Sequence, residues 1–271
     1  MADATELGFP SVKTRDLGAT QFQHFITLLR LLTLRAVKVR YRRSLLGVLW
    51  SMLSPLASMA VLTLVFSHVF TEVPAYALYV VVGVLAWNFF SVSCVQAMES
   101  LLSAATILRK VNVPAVVFPL AAIGGNLINL VLAIALLPFV IVATGASPGW
   151  HPALLAEALI ALCAFTVGTA LVLAAVNVFF HDVRYFFDAL ALVWFYATPI
   201  VYPVTVVPEH SRWLLSLNPM TWLLGLLRAA LYDGAAPGSV ALSAGAAWAL
   251  AVFTVGWLAF QKLQRRFYLY L

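Results

Sequence analysis

Residues 40–70 read RYRRSLLGVLWSMLSPLASMAVLTLVFSHVF. Arg40, Arg42 and Arg43, with Lys38 just upstream, stand directly before a run from Ser44 to Phe70 that holds no Lys, Arg, Asp or Glu. Such a run is long enough for one helix to cross a hydrocarbon core of about 30 Å, which takes about 20 residues. Lys and Arg beside a first span are held on the cytoplasmic side. The cluster therefore sets the direction of this helix and, by alternation, of those that follow.

Composition points the same way. Hydrophobic residues make up 63% of the 271 and charged ones 10%. Soluble domains carry about 25% charge, so this chain cannot build a water-exposed surface. Its apolar segments run continuously instead of alternating every second residue, which predicts spanning helices and not a barrel. Cys94 and Cys163 fall inside apolar runs and read as buried thiols rather than a disulfide framework. Asp3, Glu6 and Asp16 precede the first apolar run, where a signal peptide would be basic, so none is expected.

The expected fold is an all-α membrane protein, a single domain over residues 1–271 with six transmembrane helices per protomer. The spans are placed at about 45–70, 76–97, 114–144, 154–180, 185–202 and 239–260. Residues 1–20 read as a loose cytoplasmic segment. Residues 22–39 read as an amphipathic interfacial helix. At helical periodicity Phe22, Phe25, Ile26, Leu29, Leu32 and Ala36 fall on one side, with Gln23, His24, Thr27, Arg30, Arg35 and Lys38 opposite. Leu31 and Leu34 interrupt the polar face. Such a helix lies in the headgroup plane with its cations toward phosphate. Pro55 predicts a kink in span one.

Between spans two and three, Glu99–Pro114 reads as a short helix outside the hydrocarbon that ends in the pair Arg109–Lys110. Gly124, Gly125, Asn126 and Asn129 within span three predict close helix approach and interhelical hydrogen bonds. The stretch from Pro203 to Gly238 is broken by Pro208 and Pro219 and holds two short apolar pieces, Trp213–Leu217 and Pro219–Leu231. Asn218 is a good N-cap, and Pro219 suits the first helical position. The second piece is too short to cross, so it reads as re-entrant or interfacial, beside an aqueous path.

Of the 16 Lys and Arg residues, only Arg212 and Arg228 fall outside the expected cytoplasmic side. That asymmetry follows the positive-inside rule and accounts for the net charge of +6 without nucleic acid. The chain has no G-x-x-x-x-G-K-[ST] phosphate loop, no G-x-S-x-G, and no His/Cys cluster at metal-ligand spacing. No catalytic residue, metal or cofactor of its own is expected. The spans hold no ionisable acids apart from Glu157 and Asp188 near span ends, and an ion-coupled carrier would place charge inside the membrane. What remains is a pore or translocation scaffold driven from elsewhere.

Three stretches, in order, resemble the transmembrane subunits of bacterial ABC exporters for polysaccharides and polyol phosphates, of the O-antigen, capsule and teichoic-acid type. The first is residues 40–70, with the basic cluster, Leu46, Gly47, Trp50 and Pro55. The second is ESLLSAATILRKVNVPAVVFPLA, residues 99–121. The third is NVFFHDVRYFFDALALVWFYATPIVYPVTVVPEHSRWLLSLNPMTWLLGLLRAALYDG, residues 177–234, in which His181 stands where an Arg is common.

The resemblance implies a homodimeric channel in the bacterial inner membrane, both termini cytoplasmic. Two copies of a separate ATPase subunit would bind Mg-ATP, and a lipid-linked glycan would be the cargo. It makes Glu99, Leu102, Ile107, Leu108, Arg109 and Lys110 the helix that couples to the ATPase. Channel-lining candidates are Trp50, Phe66, Phe187, Trp194, Tyr196 and Tyr202, whose rings offer a sugar chain apolar contact without fixed register. Trp213, Pro219 and Trp222 are candidates for a periplasmic gate. Arg30, Arg35, Lys38, Arg40, Arg42 and Arg43 are the interfacial cations. The alternatives are an exporter of the same fold that carries drugs or lipids, and a membrane-bound glycan-modifying enzyme.

Overall fold

The computed structural model describes residues 14–41, 49–111, 113–144, 151–234 and 237–270. Among these the principal elements are all helices. In chain order they are α1 (Thr14–Tyr41), α2 (Leu49–Phe66), α3 (Tyr76–Ser103), α4 (Ala105–Lys110), α5 (Val117–Ala135), α6 (Leu137–Thr144), α7 (Pro152–Phe179), α8 (Val183–Ala197), α9 (Arg212–Leu217), α10 (Pro219–Leu231) and α11 (Ser239–Leu263). Short 3-10 turns at Val204–Val206 and Glu209–Ser211 lead into α9.

α3 is the centre. Leu78, Val80, Val81, Val82, Ala86 and Phe90 point around its whole circumference, and each is 1% exposed or less. A helix apolar on all sides is stable only when packed on all sides, and α2, α5, α7 and α10 surround it. α11 is the opposite case: 17% of its apolar window is buried, against 78% for α3. It stands at the periphery and packs chiefly on α7. Gly168 and Gly256 let those two backbones meet, since a Cβ at Gly256 would lie 2.6 Å from the Gly168 carbonyl carbon.

Among the described residues four helices are long and apolar enough to cross a membrane, namely α3, α5, α7 and α11, or five if α9 and α10 form one bent span. Six were expected. Span five is shorter than its expected range of 185–202. α8 has 15 residues, about 22 Å at 1.5 Å per residue. The cause is Pro199. A residue before proline is disfavoured in the helical region, and Thr198 is extended, with φ −101° and ψ 136°. The expected span 114–144 is divided at Leu136, because Pro138 has no N–H for the carbonyl four residues back and its ring clashes there.

The second span is longer than expected. Ala97, Met98 and Leu101 are fully buried and carry α3 on to Ser103. The short helix expected within Glu99–Pro114 therefore reduces to α4, after a turn at Ala104, and Glu99 and Leu102 belong to α3.

α1 begins at Thr14, so residues 14–20 are helical rather than loose. Its packed stripe is Phe25, Leu28, Leu29, Leu32, Thr33, Ala36 and Val37, and it lies on α5. Phe22 and Ile26, expected on the apolar face, are exposed. The helix is turned because Gly124 and Gly125 form a seat on α5. Thr33 Oγ1 stands 3.0 Å from where a Gly124 Cβ would be, and Ala36 Cβ 3.5 Å from where a Gly125 Cβ would be.

Candidate functional site

α3 is 28 residues long, about 42 Å, and its two ends differ in chemistry. One carries Glu99 and adjoins α4. The other carries Tyr76 and Tyr79 and adjoins the turn after α8.

At the charged end α4 has no buried residue. Ile107, Arg109 and Lys110 are exposed, and Leu108 packs partly on the core. Among the described residues Arg109 and Lys110 have no acidic partner. Glu99 is engaged differently. It pairs with Arg184 of α8, whose Nε is 3.9 Å from Asp188 Oδ2. Arg30, Arg35 and Lys38 project from the free face of α1. Arg40, also exposed, reaches across to α3 and donates to Gln96 Oε1 at 2.6 Å. The same oxygen accepts from Asn126 Nδ2 at 3.2 Å, and Asn126 also donates to Ser93 Oγ. Tyr41 Oη donates to Asn129 Oδ1 at 2.7 Å. The amides of span three thus join α1, α3 and α5. Arg42 and Arg43 lie outside the described residues, as does the side chain of Trp50.

The aromatic candidates separate into two groups. Phe187 is 4% exposed and faces Phe90. Trp194 packs edge-on against Trp87, Phe90 and Phe165, and its indole N–H donates to Asn218 Oδ1 at 2.9 Å. Both turn into the protomer. Phe66 is half-buried and stacks on Phe70. Tyr196 is 65% exposed, and Tyr202 Oη donates to its carbonyl at 3.0 Å. With Tyr185, Leu192 and Val193, Tyr196 gives α8 an uncovered apolar face.

Between the two ends of the elbow the chain turns by 92°, from Glu209–Leu217 into α10. Asn218 caps α10, its Oδ1 accepting from the Met220 N–H at 3.0 Å, and Pro219 is the first helical residue. Trp213 is exposed, and the Trp222 indole N–H donates to Ser216 O at 2.8 Å.

Sequence reading overlooked Arg228. It is 6% exposed and donates to Pro199 O at 2.7 Å and Ile200 O at 2.8 Å, with its guanidinium 3.5 Å above the Tyr79 ring. The available signal was its register. Leu224, Leu227 and Leu231 surround it on α10's buried face, where a cation needs dedicated acceptors.

Residues 27–232 match the family described as ABC-2 type transporter. The chain belongs to that family. The ABC-2 match runs from α1 through α10, so the exposed α4, the free face of α8 and the elbow all lie within it. Over 243 residues the chain is 33% identical to an O-antigen export system permease protein RfbA of Myxococcus xanthus, covering 89% of this chain and 94% of that protein. It is 28% identical over 206 residues to a Klebsiella pneumoniae protein of the same name, covering 74% and 78%. Both relatives are named as permeases of an export system. With its apolar helices, this ABC-2 chain is a multi-pass membrane protein.

Proposed function

We propose that the chain is the channel-forming subunit of an ATP-driven exporter that moves a lipid-linked polysaccharide of the O-antigen class outward across the bacterial inner membrane. α4 carries the reading. A helix of six residues, none of them buried, ends in two cations that have no acidic partner among the described residues, on a chain without a phosphate loop. That is a surface waiting for an acidic partner that holds the nucleotide. The partner is a separate ATPase subunit, two copies to two copies of this chain, with Mg-ATP bound there. Each Arg or Lys pair with an exposed acid would contribute about 1 kcal/mol at most. The pair therefore sets orientation more than strength.

The conduit runs between two copies along the free face of α8. Tyr185 and Tyr196 are exposed there and free to lay their rings against a sugar chain. Such contacts hold sugar C–H surfaces without fixing a hydrogen-bond register, so a polymer can slide. α2, α3, α5 with α6, α7, α8 and α11 make six crossings, both termini are cytoplasmic, and α9–α10 forms the gate at the tyrosine end. Trp213 and Trp222 are its plug side chains.

The test is copurification and depletion. Pulled from native membranes, the chain should bring an ATPase subunit, and its depletion should remove a surface polysaccharide. Unchanged surface glycans with altered drug sensitivity would favour a drug or lipid exporter. Sugar turnover by the chain alone would point to an enzyme.

A further inference from the structure

The helical ladder ends at Ala197, just before the buried stretch Thr198–Ile200, and the carbonyls from Ala197 to Tyr202 find other partners. A buried carbonyl without a donor is costly. Here donors arrive from α3, from α10 and from the Asn218 cap between α9 and α10. Asn218 Nδ2 donates to Ala197 O at 3.3 Å and to Thr198 Oγ1 at 2.9 Å. Thr198 O accepts from the Ile200 N–H at 2.7 Å. Arg228 takes Pro199 O and Ile200 O. Tyr76 Oη donates to Val201 O at 2.7 Å, and Tyr79 Oη to Tyr202 O at 3.1 Å. Every carbonyl from 197 to 202 is thus held, four of them by side chains of α3 and α10 and one by the Asn218 cap. Gly83 leaves room for this, since a Cβ there would lie 3.1 Å from both Arg228 Nη2 and Ile200 Cγ2.

The rest of the elbow is attached quite differently. Nine of the 13 residues of α10 are buried. In α9 only Leu215 is, and neither preceding 3-10 turn buries any residue. Arg212 binds Val207 O and pairs with Glu209, both within the segment 203–217 itself. Among the described residues, one side-chain hydrogen bond ties α9 to α10, from Trp222 Nε1–H to Ser216 O.

We propose that Arg228 is the positioning residue of the exit: it bolts α10 and the end of α8 to α3 as one static frame, and leaves residues 203–217 as the part of the elbow that moves when cargo passes. The two short helices are then not a symmetric pair of flaps. The pivot is Asn218, which caps α10 with its oxygen and grips α8 with its nitrogen. A planar guanidinium can donate to two neighbouring carbonyls at once, and a lysine ammonium in its place cannot span them in the same way. The functional role rests on the exporter reading, whereas the mechanical claim does not.

The test uses spin labels on one protomer of the purified dimer with its ATPase, the other protomer left unlabelled, in a Cys163→Ala background, since Cys94 is fully buried. Label pairs are Val193→Cys with Gly225→Cys, both on the frame, and Leu214→Cys with Gly225→Cys, across the pivot. Position 225 has nothing within 4 Å of an added Cβ. The frame pair should give one narrow distance that ATP does not move, and the pivot pair a broad or nucleotide-dependent one. R228K should broaden the frame pair. If R228K fails to assemble, G83A crowds the same guanidinium without removing it and should broaden the pair instead. In cells, R228K should lower glycan export about tenfold or more, from the loss of a charge-assisted bond, while ATP hydrolysis continues. A frame pair that shifts with ATP while the pivot pair stays fixed overturns the proposal. So does an unaltered frame pair in both R228K and G83A. A wild-type complex with the expected distances but no glycan export would overturn the exporter reading and leave the static frame standing.

Discussion

Replacing Gly168 by alanine puts one methyl group into the crossing of α7 and α11, and the structure sets what that costs. The added Cβ would stand 2.6 Å from the Phe253 nitrogen and would also strike the Val252 carbonyl. Ordinary contact begins near 3.4 Å. The obstructing atoms are backbone, so no rotamer change relieves them, and the helices must part by about 1 Å. A gap of that size forfeits roughly a quarter to a half of the dispersion energy of the atoms it separates. α7 with α11 is the most extensive helix pair in the chain, so the loss is spread along a long seam. Overpacking costs about 1–3 kcal/mol where side chains can adjust, and here the upper figure or more is expected. At about 2–4 °C per kcal/mol for a chain of this size, G168A should lower Tm by about 6–12 °C. The assay is thermal unfolding of the purified protein in detergent, followed by gel filtration or tryptophan fluorescence. Gly225→Ala is the matched control. Its Cβ enters open space on α10, and alanine is the better helix former by about 1 kcal/mol, so Tm should hold or rise. G168A melting no lower than wild type would refute the close crossing. G225A falling as far as G168A would refute the assignment of the cost to backbone contact.

Three further outcomes follow from the same structure. Trp194→Phe keeps an aromatic ring among Trp87, Phe90 and Phe165 but removes the donor to Asn218, so it should cost about 1 kcal/mol; an unchanged Tm would mean the indole bond contributes nothing. Arg109→Glu with Lys110→Glu should leave Tm unchanged, because both side chains are exposed, yet weaken copurification of the ATPase, and retained binding would remove α4 from the contact. Burial holds the Asp233 carboxyl above the usual carboxylate range, and the Arg228 charge pulls it part of the way back. A raised folded-state value means that stability from this group is full below its unfolded value of about 3.9 and is lost as pH rises through the folded one. Asp233→Asn should therefore flatten the dependence of Tm on pH just above that value, and an identical pH profile in variant and wild type would count against the burial.

The readable part of the fold is the part governed by local rules. α7 and α11 fall within a few residues of their expected bounds because each is a long apolar run with a polar or Pro/Gly-bearing stretch on either side. Asn218 and Pro219 announce the start of α10 in two residues, and the side chain caps as expected. The bounds that were missed have equally physical causes. Pro199 and Pro138 stop or divide helices in places where hydropathy alone continues. α3 passes its expected end because packing, not composition, decides where a central helix stops. The face of α1 depends on two glycines some ninety residues away on α5, and no periodicity within α1 contains that information. Phe187 and Trp194 share the aromatic character of Tyr185 and Tyr196. Which of them faces inward depends on α3 and α7, where Phe90 and Phe165 wait.

Arg228 shows how the remainder becomes readable. Considered alone it is a stray cation on the wrong side of a charge rule. Its meaning depends on a fact about a different segment: a helix ends just before the buried stretch Thr198–Ile200, and the carbonyls left behind need donors. The Thr-Pro pair states that need, and most of the donors must be side chains, because Pro199 and Pro203 deny the neighbouring backbone a regular ladder. Nearby side chains with N–H or O–H groups can answer it. Among the described residues Tyr76, Tyr79, Asn218 and Arg228 do so. A cation inside an apolar stripe is therefore best paired with the nearest broken helix in space, not with an acid. A non-helical turn in an apolar bundle in turn predicts such donors somewhere else in the sequence.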